Sequence, residues 1–182
     1  MSNKEVIKIL YEHLDSVFKS GESFYYFFNK LTPDIILSGT FKNIYELRES
    51  EEKFELIYNS YLSIQFSIES YNTNIINAEC RPYWQYKIID HSKKLLPWMQ
   101  EFNEKVFLYN DVFWDKFYPP NKPGCNSYVK PLTKNEFEQN SLVLCNGNDF
   151  LKYKVKWDFN PVKVNWKSYF TKFLQRQILS SR

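Results

Sequence analysis

Apolar and polar residues in the first third of the chain alternate with the period of an α-helix. The first apolar stripe covers residues 6–18, where apolar side chains recur at intervals of three and four positions. Ser2 or Asn3 can cap a helix here, and Gly21 stands at its expected end because glycine readily adopts the left-handed conformation that stops helices. The pattern therefore predicts one amphipathic helix between this cap and Gly21.

Two further helices are predicted before residue 80. A short one begins at Ser23 and should end before Pro33, because proline disfavours helical backbone in the residue that precedes it. The longest runs from about Glu51 to Asn72, and acidic residues occupy its first turn, where the helix dipole favours them. Its apolar stripe is most simply a face that packs in a core.

The period changes after residue 80 to that of short strands. Strands rich in aromatic and β-branched residues are predicted at 83–90, 105–109 and 127–130. Residues 110–125 contain three prolines and a glycine, which predicts a long proline-rich loop. Residues 151–157 alternate strictly between lysines and apolar side chains, the pattern of a strand with one face buried and the other in water.

Two more helices complete the expected fold. Thr133 can cap a short helix with Glu136 three positions later, which is the spacing of a capping box. Apolar residues from Trp166 to Ile178 have the spacing of an amphipathic helix. We therefore predict an α+β fold, in which a helical N-terminal half packs on a small, mostly antiparallel sheet with a long proline-rich loop and a C-terminal amphipathic helix.

The organisation along the chain is that of a single domain with an uneven charge. No internal repeat or linker divides residues 1–182, so we expect a helical lead-in over about 1–75 and an α+β part over about 76–182. Residues 151–182 hold eight basic residues and one acidic residue, whereas the whole chain has a net charge of +3. A basic end of this kind favours nucleic acid or an acidic protein surface as partner.

The cysteines indicate a reducing compartment, and the apolar runs predict no signal peptide and no membrane span. The chain has three cysteines, Cys80, Cys125 and Cys145. Their odd number and their spacing fit neither a disulfide framework nor a zinc site. The first residues lack the apolar core of a signal peptide, and no uncharged apolar run is long enough to span a membrane. We expect a protein that is cytoplasmic at synthesis, with no membrane partner.

Candidate catalytic residues are few. His91 lies beside Asp90, an acid–base pairing, but adjacent residues of a strand point to opposite faces. Asp111 and Asp115 flank two aromatic residues on the predicted loop, where a helix-capping or solvated role is favoured over binding a divalent ion. Because no nucleotide-binding or hydrolase motif occurs either, we predict no catalytic residue, no metal site and no cofactor.

Lysines interleaved with aromatic residues form the second group of candidates. They are Lys152, Lys154, Lys156, Lys167 and Lys172. Such residues could bind phosphates without reading a base sequence. The alternative is that the aromatic side chains face the core and the lysines are simply its wet side, which the strict alternation over 151–157 favours.

The most specific signal is a series of short motifs in the centre of the chain. The sequence reads RPYWQY at 81–86, YPPN at 118–121 and WDFNP at 157–161. The motif residues are Arg81, Pro82, Trp84, Tyr86, Asp90, Ser92, Phe107, Asp111, Trp114, Asp115, Pro119, Pro120, Asn121, Gly124, Cys125, Asp158, Asn160 and Pro161. In order and spacing they resemble the Mu F-like family of phage head morphogenesis proteins. Ser127 stands where that family has a second cysteine.

This resemblance implies a function, and the residues leave two alternatives. It implies a minor head protein of a Mu-like phage or prophage that acts near the portal. Portal and capsid or scaffold proteins would be its partners, packaged DNA would be within reach, and the phage head would be its final location. The first alternative is a nonspecific nucleic-acid-binding protein that uses the basic C-terminal region. The second is a phage-carried nuclease or effector, whose site would have to use His91, Asp90, Asp111 and Asp115.

Overall fold

The computed structural model describes residues 2–89 and 97–178. These residues form eight α-helices, a 3₁₀ turn and a three-stranded antiparallel sheet, so the predicted α+β class is confirmed. They group into two compact units. The first unit comprises the chain up to Leu62 together with the residues from Lys167 onward, and the second is Ser63–Trp166. Whether residues 1–182 behave as one domain stays a prediction.

The first unit is helical. Its elements are α1 (Asn3–Ser20), α2 (Phe24–Leu37), α3 (Ile44–Arg48), the first part of α4 (Glu51–Ile76) and α8 (Trp166–Ile178). Leu10, Phe27 and Tyr61 are fully buried in it. On α8, the Phe170 ring lies 5.6 Å from that of Tyr61, and the Lys167 backbone carbonyl accepts a hydrogen bond from Tyr11. The predicted stripes on α1, α4 and α8 are therefore core faces.

The ends of α1 follow from residues close to them in sequence. Ser2 is the N-cap, and it forms a capping box with Glu5. Gly21 ends the helix with φ of 69°, and its N–H donates to the Val17 carbonyl. Both features agree with the prediction.

Helix α2 differs from the prediction because it continues through Pro33 to Leu37. The expected stop before this proline is wrong. A proline inside a helix costs about 3 kcal/mol or more. Ile35, which follows it, is fully buried, and burying such a side chain contributes about 1.5–3 kcal/mol. The burial of Ile35 in the continued helix largely offsets the proline.

The second unit surrounds the sheet. Its elements are the rest of α4, β1 (Tyr83–Ile88), α5 (Pro97–Phe102), β2 (Val106–Leu108), α6 (Phe113–Phe117), β3 (Ser127–Leu132), α7 (Lys134–Gln139) and a 3₁₀ turn (Gly147–Phe150). The strand order is β2-β1-β3, and both pairs are antiparallel. Thr133 caps α7 with the predicted capping box to Glu136. The sheet and this cap agree with the sequence pattern.

The register of β1 separates two faces of the sheet. Trp84 lies opposite Phe107 on β2 and Pro131 on β3, and Tyr86 lies opposite Val129. Side chains on alternate residues of a strand share a face, so these positions form the buried aromatic side. The outer edge of β2 is covered, because Leu144 runs parallel to Val106 and the Cys145 N–H donates to the Val106 carbonyl at 2.8 Å.

Residues 151–157 form no strand, which corrects the prediction. The alternation itself is real, because the lysines are exposed, the apolar residues are half-buried and Trp157 is buried. The backbone groups find partners outside the sheet. The Trp157 N–H donates to the Asn121 carbonyl at 3.0 Å, and the Leu151 carbonyl accepts from the Lys116 ammonium at 3.0 Å. Burial can therefore alternate with a two-residue period in a segment that forms no ladder of hydrogen bonds.

The proline-rich segment is also not all loop, because Phe113–Phe117 forms helix α6. Phe113, Trp114 and Phe117 are all buried. Asp111 stabilises the start of this helix, since its carboxylate accepts a hydrogen bond from the Phe113 N–H at 2.8 Å. Three buried aromatic residues on one short turn outweigh the loop signal of the prolines around them.

We expect Gly147→Ala to destabilise the fold by about 1–3 kcal/mol, the usual cost of overpacking. A Cβ at this position would lie 1.8 Å from Asp111 Oδ1 and 2.7 Å from the Phe113 N. Chemical denaturation of the variant measures the change. Asn148→Ala is the matched control because this side chain is exposed on the same turn. Equal stability of the two variants would contradict the expected clash.

Candidate functional site

The aromatic motif residues lie inside the second unit. The buried cluster consists of Trp84, Tyr86, Phe102, Phe107, Phe113, Trp114, Phe117, Tyr118 and Val129. The rings of Phe107 and Phe113 stack with centroids 4.0 Å apart, and Trp84 meets Trp114 edge-on at 5.6 Å. Aromatic pairs of these kinds contribute about 0.5–1.5 kcal/mol beyond their area burial. The structure places these side chains where they pack against each other in the interior of the second unit.

Asn121 connects three separate segments within this core. The Tyr86 hydroxyl donates to Asn121 Oδ1 at 2.7 Å, and Asn121 Nδ2 donates to the Trp157 carbonyl at 3.4 Å. In return, the Trp157 N–H donates to the Asn121 carbonyl. Burial raises the pKa of Tyr86 well above its usual range, so this hydroxyl remains a donor. The YPPN and WDFNP motifs are therefore hydrogen-bonded to each other and to β1.

A second buried asparagine fastens the end of the WDFNP motif. Asn160 Nδ2 donates to the Trp114 carbonyl at 3.2 Å, and Asn160 Oδ1 accepts from the Val162 N–H at 3.0 Å. The prolines of both motifs are buried as well; they are Pro119, Pro120 and Pro161. Asp158 is exposed. Apart from Asp158, these motif positions have a packing or hydrogen-bonding role within the second unit.

Of the candidate catalytic and metal-binding residues, Asp111 and Asp115 lie in the described ranges, and each is bonded to groups other than the other aspartate. Asp111 accepts from the Phe113 and Gly147 N–H groups, and Asp115 forms an ion pair with Lys163. In the described ranges, His, Cys, Asp and Glu side chains form no group of three that could hold a metal ion. The remaining predicted residues of this region, Asp90, His91 and Ser92, lie outside the described residues.

Arg81 holds the start of β1 against the end of β3. Its guanidinium donates to the Pro131 carbonyl and to Glu136 Oε2, both at 3.1 Å. Hydrogen bonds from the Thr133 backbone and hydroxyl, and then the Arg81 charge, lower the pKa of Glu136 below its ordinary value of 4.5. Pro82, also in the motif, accepts from the Tyr109 N–H at 2.9 Å. Arg81 therefore links the RPYWQY motif to the capping box of α7.

Gly124 and Cys125 end the proline-rich segment. Gly124 has φ of 64°, a conformation that favours glycine. Cys125 is buried and unoxidised, and its thiol donates to Ser127 Oγ at 3.2 Å. The serine at the position of the family's second cysteine therefore pairs with the first one by a hydrogen bond.

The candidate phosphate-binding lysines divide between the two units. Lys152, Lys154 and Lys156 are exposed along one side of the segment after the 3₁₀ turn, in the second unit. Lys167 and Lys172 are exposed on α8, in the first unit. Separately, across the described ranges, no helix is long and apolar enough to cross a membrane.

Sequence reasoning missed a groove beside the outer edge of β3. We call it the β3 groove; it has a volume of about 310 Å³ and lies between Ser63, Ser67 and Ser70 of α4 and residues 125–129. The serines recur at intervals of four and three on α4, which places them on one side of the helix. The serine spacing could have indicated a polar side of α4. The strand that forms the other wall of the groove is about 60 positions away in sequence, so the groove itself could not be inferred.

Two curated proteins are similar to this chain in sequence. The chain is 28% identical over 102 residues to the "Putative capsid assembly protein F" of Escherichia phage Mu. The match covers 56% of this chain and 23% of that protein. It is 26% identical over 74 residues to the Mu-like prophage FluMu F protein of Haemophilus influenzae, over 41% of this chain and 18% of the relative. The resemblance to Mu F-like proteins is confirmed.

The matches cover only a small part of each relative. The chain spans less than a quarter of the length of either of these two proteins. No family model matches the chain, and no solved structure matches it. The similarity therefore concerns one part of larger proteins.

We expect Asn121→Ala to destabilise the chain by about 1–3 kcal/mol, because it removes the acceptor of the 2.7 Å hydrogen bond from the buried Tyr86 hydroxyl. The double variant with Tyr86→Phe should lose less than the sum of the two single changes. Chemical denaturation of the four proteins gives the coupling energy. Strict additivity would show that the two groups do not interact.

We expect the stability difference between the chain and its Glu136→Gln variant to depend on pH. The folded-state pKa of Glu136 is lowered, so its contribution is present above the unfolded-state pKa and is lost as pH falls through the folded-state value. Unfolding midpoints measured from neutral to acid pH should converge for the two proteins. Glu138→Gln on the same helix is the control, and an equal convergence there would contradict the assignment to Glu136.

Proposed function

We propose that the chain is a structural component of the head of a Mu-like phage or prophage and acts without catalysis in head assembly. The observation that carries this proposal is the similarity of 56% of the chain to a protein of phage Mu named for capsid assembly. The name belongs to that larger protein, and its role is extended here to the matching part. A phage head is accordingly the proposed final location, after synthesis in the cytoplasm.

The geometry supports a structural role. Most described motif residues are buried or bonded within the second unit, which is how a scaffold is stabilised. Asp111 and Asp115 each have a protein partner, which leaves them poorly placed as a catalytic pair. We therefore propose a non-enzymatic role in preference to a nuclease or effector. Portal and capsid or scaffold proteins are the proposed partners.

A second candidate function is contact with the DNA backbone. Lys152, Lys154 and Lys156 are exposed and alternate along the chain with half-buried apolar residues. Three ammonium groups so arranged can neutralise phosphates without reading bases. In a head protein this contact would be with packaged DNA, so the two candidates are compatible.

We expect the tagged chain to recover portal or capsid proteins from host cells in which a Mu-like prophage encoding it has been induced. Recovery at both low and high salt is the expected result, because protein interfaces with an apolar centre depend little on ionic strength. Mass spectrometry identifies the proteins, and nuclease-sensitive staining measures DNA. Recovery of DNA alone, lost at high salt, would contradict the head role and favour the second candidate.

A set of charge reversals separates the two candidates. Lys152→Glu, Lys154→Glu and Lys156→Glu together should abolish recovered DNA and leave recovered head proteins unchanged. The matched control reverses Lys4, Lys8 and Lys19, which are exposed on α1 and change the net charge equally. Equal loss of DNA in both variants would mean that net charge, and not this surface, attracts DNA. Loss of the head proteins in the first variant alone would place their contact on the lysine segment.

A further inference from the structure

The backbone of β3 alternates between two directions. Tyr86 on β1 exchanges hydrogen bonds with residues 104 and 105 on the β2 side. Its neighbours Gln85 and Lys87 therefore point towards β3, and their partners there are Lys130 and Tyr128. The Ile89 N–H, which donates to the Asn126 carbonyl, continues the same alternation.

The N–H and C=O groups of Ser127 and Val129 consequently point away from β1. Within residues 2–89 and 97–178, no strand pairs with this outer edge of β3. Both residues line the β3 groove, which lies on this outer side of the strand. Unpaired strand edges are templates for a further strand.

The open part of this edge is short because Pro131 closes it. Pro131 is the next outward-pointing residue, and it has no N–H to donate. Its carbonyl already accepts a hydrogen bond from Arg81 at 3.1 Å. The edge therefore offers two donors and two acceptors, at Ser127 and Val129, and no more towards Pro131.

A buried hydroxyl without a partner adds a second observation. Tyr118 lines the β3 groove, and it is 1% exposed. Its hydroxyl lies near the Ser70 and Asn74 side chains, which act to lower its pKa, but among the described residues it has no partner at full hydrogen-bonding geometry. A buried polar group of this kind is costly unless something supplies a partner.

The electrostatic character of the groove restricts what it can take. Among the described residues that line it, none carries a charge. A charged side chain placed there would lose its hydration without gaining an ion partner. Phe66 and Ile89, which border the groove, are 58% and 57% exposed and provide apolar surface. The matching occupant is uncharged, partly apolar and extended.

We propose that the β3 groove binds an extended, uncharged peptide segment of a partner protein, which adds to the sheet as a short strand beside β3. The segment pairs with the backbone of Ser127 and Val129, and its apolar side chains lie against Phe66 and Ile89. This site does not depend on the proposed role in head assembly. It would serve equally in any protein complex.

Amide hydrogen exchange of the free chain tests the open edge first. The N–H groups of Tyr128 and Lys130 should exchange slowly because they bond to β1, whereas those of Ser127 and Val129 should exchange faster. Slow exchange at all four positions would mean that the outer edge is already paired, which would overturn the proposal.

Binding is tested with a displayed library of random dodecapeptides selected on the full chain. We expect enriched peptides to share an uncharged, partly apolar stretch and to slow exchange at Ser127 and Val129. Ser127→Pro removes one outward N–H and should weaken the selected peptide by about tenfold, the effect of losing one backbone hydrogen bond at a buried site. Ser127→Thr keeps this N–H and should bind within about twofold of the unchanged chain.

A second variant keeps the test decisive if Ser127→Pro fails to fold. Phe66→Ala removes apolar surface from an exposed helical position and should also weaken binding severalfold, whereas Glu69→Ala on the same helix should not. The proposal is overturned if no peptide is enriched. It is also overturned if the enriched peptides are charged in the paired stretch, or bind the groove variants and the unchanged chain equally.

Discussion

The hydrogen bond from the Tyr86 hydroxyl to the Asn121 side chain is the constraint on which the second unit depends. Both groups are fully buried, where an unpaired polar group is costly and a paired one is strengthened by the low dielectric. Asn121 also bonds to Trp157 in both directions, so one residue fixes β1, the proline-rich segment and the chain after residue 150. Aromatic packing alone is less directional. The buried amide selects one arrangement among the ways in which so many rings could pack.

Features set by neighbouring residues were predictable, and features set by distant contacts were not. The capping boxes at Ser2 and Thr133 depend on a glutamate three positions later, so both could be inferred. The passage of α2 through Pro33 depends on a core that receives Ile35, which no local pattern reveals. The alternation over 151–157 correctly predicted which side chains are more buried, but the strand predicted from it is wrong. An alternating pattern indicates which side chains face solvent, and it does not indicate the partners of the backbone hydrogen bonds. For the candidate site, sequence gave the identity of the motif residues but not their interior position.

The burial of the motifs changes where function should be sought. Trp84 and Trp114 belong to the motifs that suggested Mu F-like proteins, yet they lie in the core and contact each other. A likeness carried by core residues reports a shared way of folding, while partner choice depends on exposed residues between the motifs. In this chain those exposed features are the lysine segment and the β3 groove. Neither feature is evident from the sequence. The lysines resemble an ordinary solvent-exposed face, and the groove is formed by segments that are far apart in sequence.

The end of the open β3 edge at Pro131 affects how readily two copies of the chain can pair through their sheets. A three-stranded sheet has two edges, and long open edges favour chain-to-chain stacking into cross-β aggregates. Here the β2 edge is occupied by Leu144 and Cys145, and the β3 edge ends at a proline whose carbonyl is held by Arg81. The stretch of β3 that remains open towards Pro131 is therefore limited to the backbone of Ser127 and Val129. Arg81 and Pro131 thus shorten the strand edge with which a second copy of the chain could pair.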